Sequence, residues 1–547
     1  MEQQDLNKRL LIALLLSFLV FIGYSYLFPA QTAQKANETT TQGTATQEVA
    51  KNVAPTNSVT GDTAAKSAPA PTTTSSEKAA AAPVVSNSNI IAVATSNIYK
   101  MSIDELGRID KFELVEKKYR DDEGKNLQIL NAQKVKPLEI RFSDQKLNEE
   151  AFKTPYVNSG AAVVDVTSGS KTITLTQTLS TLTLTKKIIL EPNGAYNIDI
   201  STSKQVPYFV TPGYRPMADD SRYLLVRGAV IIDNEDVTTT IEDKDAKGDE
   251  VIKNAKIVSA FDRYVASILY NFNDTLNVSI VKEEGDNPLI FIEGKEAMHL
   301  GGYIGPKEYK TLKAINPELT NTIEFGWFTF LSRPFFKVLV WIEGIVGNWG
   351  WAIILFTLLV KLILFPLSYK GMMSMQKLKD LAPKMKELKT KYKDDPAKMN
   401  MQMMEMYKKN GANPLGGCLP MLLQIPVFFA LYRVLLNADE LQGAAWIPGW
   451  ISDLSSADPY YILPVLMGVT MWFQQKITPN NFTDPLQEKI FQWFPVMMAV
   501  MFIIMPFPSG LVLYWVTNNI FTIGQQYIIN KSYQKQKISA SQTHQKK

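Results

Sequence analysis

Cysteine occurs once in 547 residues, at Cys418, so no disulfide can close within the chain. Histidine occurs twice, at His299 and His544, and no paired His/Cys spacing of a metal site is present. A GxxxxGK[ST] phosphate loop is missing as well. These gaps remove the usual metal, redox and nucleotide chemistries, so the expectation is a protein that is not an enzyme and carries no cofactor. The formal charge of +4 is small for this length, although its local distribution is uneven.

Apolar sequence, by contrast, is plentiful. Trp349 to Tyr369, WGWAIILFTLLVKLILFPLSY, is a run of 21 residues with one cation near its middle, Lys361. At ~1.5 Å per residue it spans the ~30 Å hydrocarbon layer as a helix. A lysine at the centre of such a helix costs roughly 2.5 to 3.5 kcal/mol and therefore needs water or a partner. Thr357, four residues earlier, puts a second polar group on the same face. Snorkelling to the inner surface requires a reach of roughly 12 Å, and a hydrated cavity is the preferred reading.

Upstream, Lys8 and Arg9 follow the start of a cytoplasmic segment, 1–9, and precede a 19-residue apolar run, 10–28. That run exceeds the ~7 to 15 residues of a secretory h-region and reads as a retained first transmembrane helix, although Ala30 and Ala33 leave a cleavage site open. Residues 29–89 are Thr, Ala, Gln, Ser, Pro and Asn with hardly an aromatic, a composition that cannot offset its ordering entropy; this is a tether. From 90 to 320 the period is two, most plainly in KTITLTQTLSTLTLTKKIIL, which predicts a large antiparallel β-sandwich on the outer side. Its lone histidine, His299, reads as structural, and a sugar- or peptide-binding groove is the open alternative. Residues 326–346 combine Trp and Phe with Arg333, Pro334, Lys337 and Glu343, the pattern of an amphipathic helix lying in the interface.

After the 349–369 span, residues 370–415 carry eleven lysines against five acids, marking the cytoplasmic side. Met372, Met375, Met385, Met399 and Met403 fall at helical spacing, so the segment is a helical hairpin whose methionine stripe either meets greasy clients or is the seam between its two helices. Asp395 caps the second helix, with Pro396 at its first turn. Four more apolar segments follow, 419–436, 460–476, 490–505 and 510–530, and then a basic cytoplasmic tail, 531–547. The connection between the first two has four acids and no Lys or Arg, as expected outside. The resulting fold is a multi-domain membrane protein: a bundle of five transmembrane helices, one N-terminal transmembrane helix and the β-sandwich. No Asp or Glu lies in the bundle spans, whereas Gln424, Asn518, Asn519 and Thr522 do, and with Thr357 and Lys361 they predict a wet, positively charged groove open to the cytoplasm.

The stretches VGNWGWAIILFTLLVKLILFPLS, NPLGGCLPMLLQIPVFFALYRVL, DPYYILPVLMGVTMWFQQK and FPSGLVLYWVTNN resemble, as an ordered set, the YidC family of bacterial membrane protein insertases, with its mitochondrial oxidase-assembly and chloroplast Albino relatives. The resemblance implies a Gram-negative form in the cell inner membrane, both termini cytoplasmic, with a periplasmic sandwich of the sugar-mutarotase type and no retained catalysis. It implies an insertase and chaperone for nascent membrane proteins, acting in the lipid bilayer alone or with the Sec translocon and receiving clients from the ribosome. The family's groove cation is usually Arg; here Lys361 stands there, which tolerates a role for charge but not for a bidentate fork. Near the last span, where relatives often show a second tyrosine, the chain has Tyr514 and Trp515, and Trp515 joins the groove set. An ion or solute transporter or channel with a periplasmic sandwich is the alternative, weakened by the absence of a membrane carboxylate and of an internal repeat.

Overall fold

The Thr/Ile alternation folds as expected of period two. Strands Lys171–Thr178 and Thr183–Leu190 pair antiparallel with Ile173 opposite Ile188 and Leu175 opposite Lys186. Ile173, Leu175 and Gln177 point into the core, while the threonines between them face outward. The alternation also carries Lys186 inward. Its ammonium is fully buried and donates to the carbonyls of Gly107 at 2.9 Å and Leu138 at 2.8 Å, and burial pulls its pKa down to about 7.

The computed structural model describes residues 89–120, 123–217, 226–248, 250–283, 285–393, 395–412, 419–478, 485–505 and 507–545. The expected first helix, 10–28, and the tether up to 88 lie outside the described residues. The hairpin above belongs to a 13-stranded sheet, and a second sheet of five strands packs against it. Tyr99, Met101 and Phe112 of the small sheet interdigitate with Leu184, Ile188 and Ile198 of the large one in a shared apolar core. The expectation of a wholly antiparallel sandwich is not met: Ile90–Thr95 pairs parallel with the three-residue strand Val163–Asp165. A parallel pair needs a long crossover, and here the chain supplies one by building the rest of the small sheet before returning to its edge.

The helices are α1 (Gln145–Lys153), α2 (Tyr309–Ile315), α3 (Thr329–Val346), α4 (Trp349–Ile363), α5 (Phe365–Lys391), α6 (Pro396–Lys409), α7 (Leu419–Asn437), α8 (Ile462–Ile477), α9 (Pro485–Ile504) and α10 (Ser509–Gln545). The single helix expected over 349–369 is two: α4 stops at Ile363 and α5 departs at 65°. Pro366 explains the break, because its missing N–H and fixed φ suit the first turn of a helix and disrupt an interior. Among the described residues no single helix is long and apolar enough to cross a membrane; the bent α4–α5 pair meets the criterion by length and composition alone, and Gln424–Asn437 of α7 is a shorter apolar helix. Pro383 lies inside α5 without ending it, and α10 continues unbroken to Gln545, within the segment expected to be a separate tail, 531–547. Asp395 does cap α6, its carboxylate accepting from the Lys398 N–H at 3.0 Å.

All described residues belong to one compact unit. The outer face of the large sheet is itself covered: Val230, Ile257, Phe261 and Ile268 share a core with Phe336 and Leu339 of α3, Phe356 of α4 and Leu431 of α7. Both faces of the central strands are therefore buried, and Val265–Tyr270 reads as a nearly continuous apolar run. Polar contacts reinforce the junction. Arg263 Nε donates to the Leu436 carbonyl at 2.7 Å, and the Asp439 carboxylate takes the Tyr119 hydroxyl at 2.7 Å and the Lys118 ammonium at 3.2 Å.

Candidate functional site

Lys361 lies in the last turn of α4, just before the bend, and is 9% exposed. Its ammonium donates to Gln424 Oε1 of α7 at 3.1 Å and to Thr522 Oγ1 of α10 at 2.9 Å. Gln424 passes the network on by donating to Asn518 Oδ1, and Thr522 donates to the Asn518 carbonyl at 2.7 Å. The bend ends the hydrogen-bond ladder of α4, and Gln525 Nε2 donates to the Lys361 carbonyl at 3.2 Å, as a freed carbonyl requires. Three helices thus converge on one cation whose partners are all neutral. Among the described residues no carboxylate pairs with it. Such a centre holds its charge in place without cancelling it, which suits attraction of an incoming anionic group.

Helical phase divides the polar residues of α10 into two sets. Asn518, Thr522 and Gln525, at i, i+4 and i+7, face Lys361. Asn519 faces the other way and donates to Thr470 Oγ1 of α8 at 3.2 Å. Gln526 shares that second face and donates to Asn530 at 2.6 Å, where Gln376 of α5 also donates. Of the residues expected to line the groove, Lys361, Gln424, Asn518 and Thr522 come together, whereas Thr357 and Asn519 do not join them. Thr357 is 1% exposed and turns its hydroxyl back to the Ile353 carbonyl at 2.7 Å. Trp515 packs between Phe428 and Phe502, with ring centroids 4.9 and 5.3 Å away, and forms an apolar wall one turn from the cluster. Gln376, Thr470 and Asn530 were not read as site residues. The signal for Asn530 is its i+4 spacing from Gln526; Gln376 is one of many polar residues on the lysine-rich α5, and Thr470 lies in the apolar part of α8, so neither stands out.

The methionine stripe divides in the same way. Met372 is buried, while Met375, Met385, Met399 and Met403 are half-buried, with Tyr407 of α6 donating to the Met385 sulfur at 3.4 Å. These side chains form packing surface, and the open methionines are Met401 and Met404 at 61% and 59%. The hairpin is tied to α10 through Asp380, which accepts from Tyr533 at 2.9 Å and Lys537 at 2.7 Å. His299, in the sandwich, pairs with Asp199 at 2.6 Å.

Comparison with known proteins accords with this architecture. Residues 341–537 match the family model described as 60Kd inner membrane protein, and residues 277–338 match that of the YidC periplasmic domain. The chain is 45% identical to the membrane protein insertase YidC of Campylobacter jejuni, over 97% of each chain. It is 43% identical to that of Wolinella succinogenes, over 99% of this chain and 98% of that one, and 42% identical to that of Helicobacter pylori, over 98% of both. A crystal structure of an active YidC insertase with its first transmembrane domain resolved aligns at a TM-score of 0.35 and 19% identity, covering 80% of this chain and 94% of that one. With near-complete coverage at such identity, and with the helical and periplasmic family models matching in sequence order, the chain belongs to the YidC family of membrane protein insertases.

Proposed function

We propose that this protein inserts client membrane proteins through a wet, positively charged groove whose cation is Lys361. One observation carries the reading: a buried ammonium held by Gln424 and Thr522 with no acid beside it among the described residues. The groove opens to the cytoplasm and to lipid, and admits the hydrophilic tail or loop of a client part-way, lowering the cost of carrying polar groups into hydrocarbon. Lys361 attracts acidic tail residues. The apolar segment of the client then moves sideways into lipid, gaining roughly 0.8 kcal/mol per buried CH₂. A membrane potential positive outside assists each acidic charge by about 2.3 kcal/mol per 100 mV, so the step needs no nucleotide.

The topology that goes with this function has six spans: the N-terminal helix and a bundle of five comprising α4 with the start of α5, α7, α8, α9 and the first part of α10. The lysine excess over 370–415 and 531–547, against the Lys- and Arg-free connection before α8, supports cytoplasmic termini and an outer sandwich. The basic hairpin and the end of α10 meet the ribosome and the emerging client, with the open Met401 and Met404 as adaptable contacts. Cooperation with the Sec translocon is an additional route for clients with large outer domains. The test is Lys361→Arg, Lys361→Gln and Lys361→Ala, each assayed for insertion of clients with acidic and with neutral tails. Equal insertion by all three removes the charge from the mechanism. A thiol at Gln424 in a Cys418→Ala background must react with a cytoplasmic reagent, and a dry site there removes the groove.

A further inference from the structure

Away from Lys361, the start of α3 faces strand Thr238–Glu242 across a recess of about 550 Å³. Thr238 and Thr240 form one wall, and Arg333 and Lys337, one turn apart on α3, form the other. The volume falls in the range of small-molecule sites and far exceeds the need of a single inorganic anion. Arg333 is incompletely satisfied. Its Nη2 donates to the Asn321 carbonyl at 3.0 Å and pairs with the Glu324 carboxylate at 3.5 Å, its Nη1 lies 3.5 Å from Asn321 Oδ1, and its buried Nε has no hydrogen-bond partner among the described residues. Lys337 is exposed and has no ion-pair partner among the described residues. The one acid in the recess, Glu324, is already engaged by the Thr329 hydroxyl at 3.1 Å and by Thr240.

The same face of α3 is apolar and open. Phe330 is 76% exposed, Trp341 65% and Ile345 66%, and with Pro334 and Lys337 they follow one another every three or four residues as a single stripe. An open stripe of this kind lies at the boundary between headgroups and acyl chains. A guanidinium and an exposed ammonium one turn apart, set beside that stripe, match the charge of a phosphodiester, and the threonine hydroxyls match a polyol.

We propose that this recess holds the headgroup of an anionic glycerophospholipid of the outer leaflet. Arg333 and Lys337 bind the phosphodiester, Thr238 meets the headgroup hydroxyls, and Phe330 lies along the first acyl carbons. The proposal rests on the topology above in placing α3 at the outer surface.

The test uses the full chain in detergent, mixed with equal amounts of phosphatidylglycerol and phosphatidylcholine, with retained lipid counted by native mass spectrometry. The wild type retains phosphatidylglycerol in preference. Lys337→Gln, at an exposed position that does not threaten the fold, lowers that retention about fivefold. Arg333→Gln lowers it at least as far, and Arg333→Lys restores part of it. No preference between the two lipids, or the same preference in all variants, overturns the proposal. Displacement of the lipid by inorganic phosphate also overturns it, in favour of a free-anion site. Topology is read separately: a thiol from Ile345→Cys in the Cys418→Ala background reacts with an impermeant reagent from outside. Reaction only from inside defeats the topology, whereas outside reaction without lipid preference defeats the headgroup site alone.

Discussion

Lys361 and Thr522, 161 residues apart in the chain, are joined by a 2.9 Å hydrogen bond between the last turn of α4 and α10. Removing the charge therefore has two effects. Hydrogen bonds to charged groups contribute ~1.5 to 3 kcal/mol, so Lys361→Gln is expected to slow insertion of acidic-tailed clients about tenfold or more, with neutral-tailed clients less affected. Lys361→Ala also leaves Gln424 and Thr522 without their donor. Lys361→Arg keeps the charge and is expected to stay within a few-fold of wild type in the same insertion assay.

Gly350 tests the joint between α4 and the connection before α8. A Cβ there would sit 2.2 Å from the Trp446 ring, and Asn348 next to it donates to the carbonyls of Ala445 at 3.1 Å and Trp446 at 3.2 Å. Gly350→Ala is expected to destabilise by ~1 to 3 kcal/mol through overpacking, measured as a lower unfolding midpoint in detergent.

Phe336 sits where the large sheet meets the helices, 2% exposed, with its ring 5.6 Å from Phe325 and 5.9 Å from Tyr309. Phe336→Ala should cost ~3 to 5 kcal/mol. The loss should appear as earlier proteolytic separation of sandwich and helices, since each keeps other core residues of its own.

Glu440 gives a pH signature. Burial, with the Asp439 carboxylate beside it, pushes the Glu440 carboxyl up to about 8 from an ordinary value of 4.5. Between those values the folded protein keeps a proton that the unfolded chain releases, so this group makes stability fall as pH rises from about 4.5 to about 8 and adds no further loss above that. Glu440→Gln retains an oxygen to accept from the Tyr309 N–H, at 2.7 Å in the wild type, and removes the titration. Its unfolding midpoint should exceed that of wild type at pH 8 and approach it at pH 5.

Met401 and Met404 should cross-link to clients more strongly than the half-buried Met399 and Met403. Changing either open residue to Gln is expected to weaken cross-linking while shifting stability by less than about 0.5 kcal/mol, because neither is packed.

The sandwich hairpin was legible because Thr alternates with Ile or Leu over most of it, and the α6 cap because Asp395 directly precedes Pro396. Lys361 announced its need of a partner, and Gln424 and Thr522 are the side chains that meet it. Other features were hidden for physical reasons. Hydropathy counts apolar residues and is blind to backbone, so Pro366 inside a greasy run did not show as a bend. Lys186 falls on the inward phase of its strand, and its partners are carbonyls, which leave no trace in side-chain pattern. Helical spacing collected the methionines into a stripe but did not say which side of that stripe a second helix would occupy.

The 37 residues of α10 form one unbroken rod, ~55 Å long at ~1.5 Å per residue, against a hydrocarbon layer of ~30 Å. The rod is ~25 Å longer than that layer is thick, and the hairpin is tied to its C-terminal half through Asp380 and Lys537. The same unbroken helix carries Thr522, so the hairpin contact and the Lys361 cluster are joined through one continuous element.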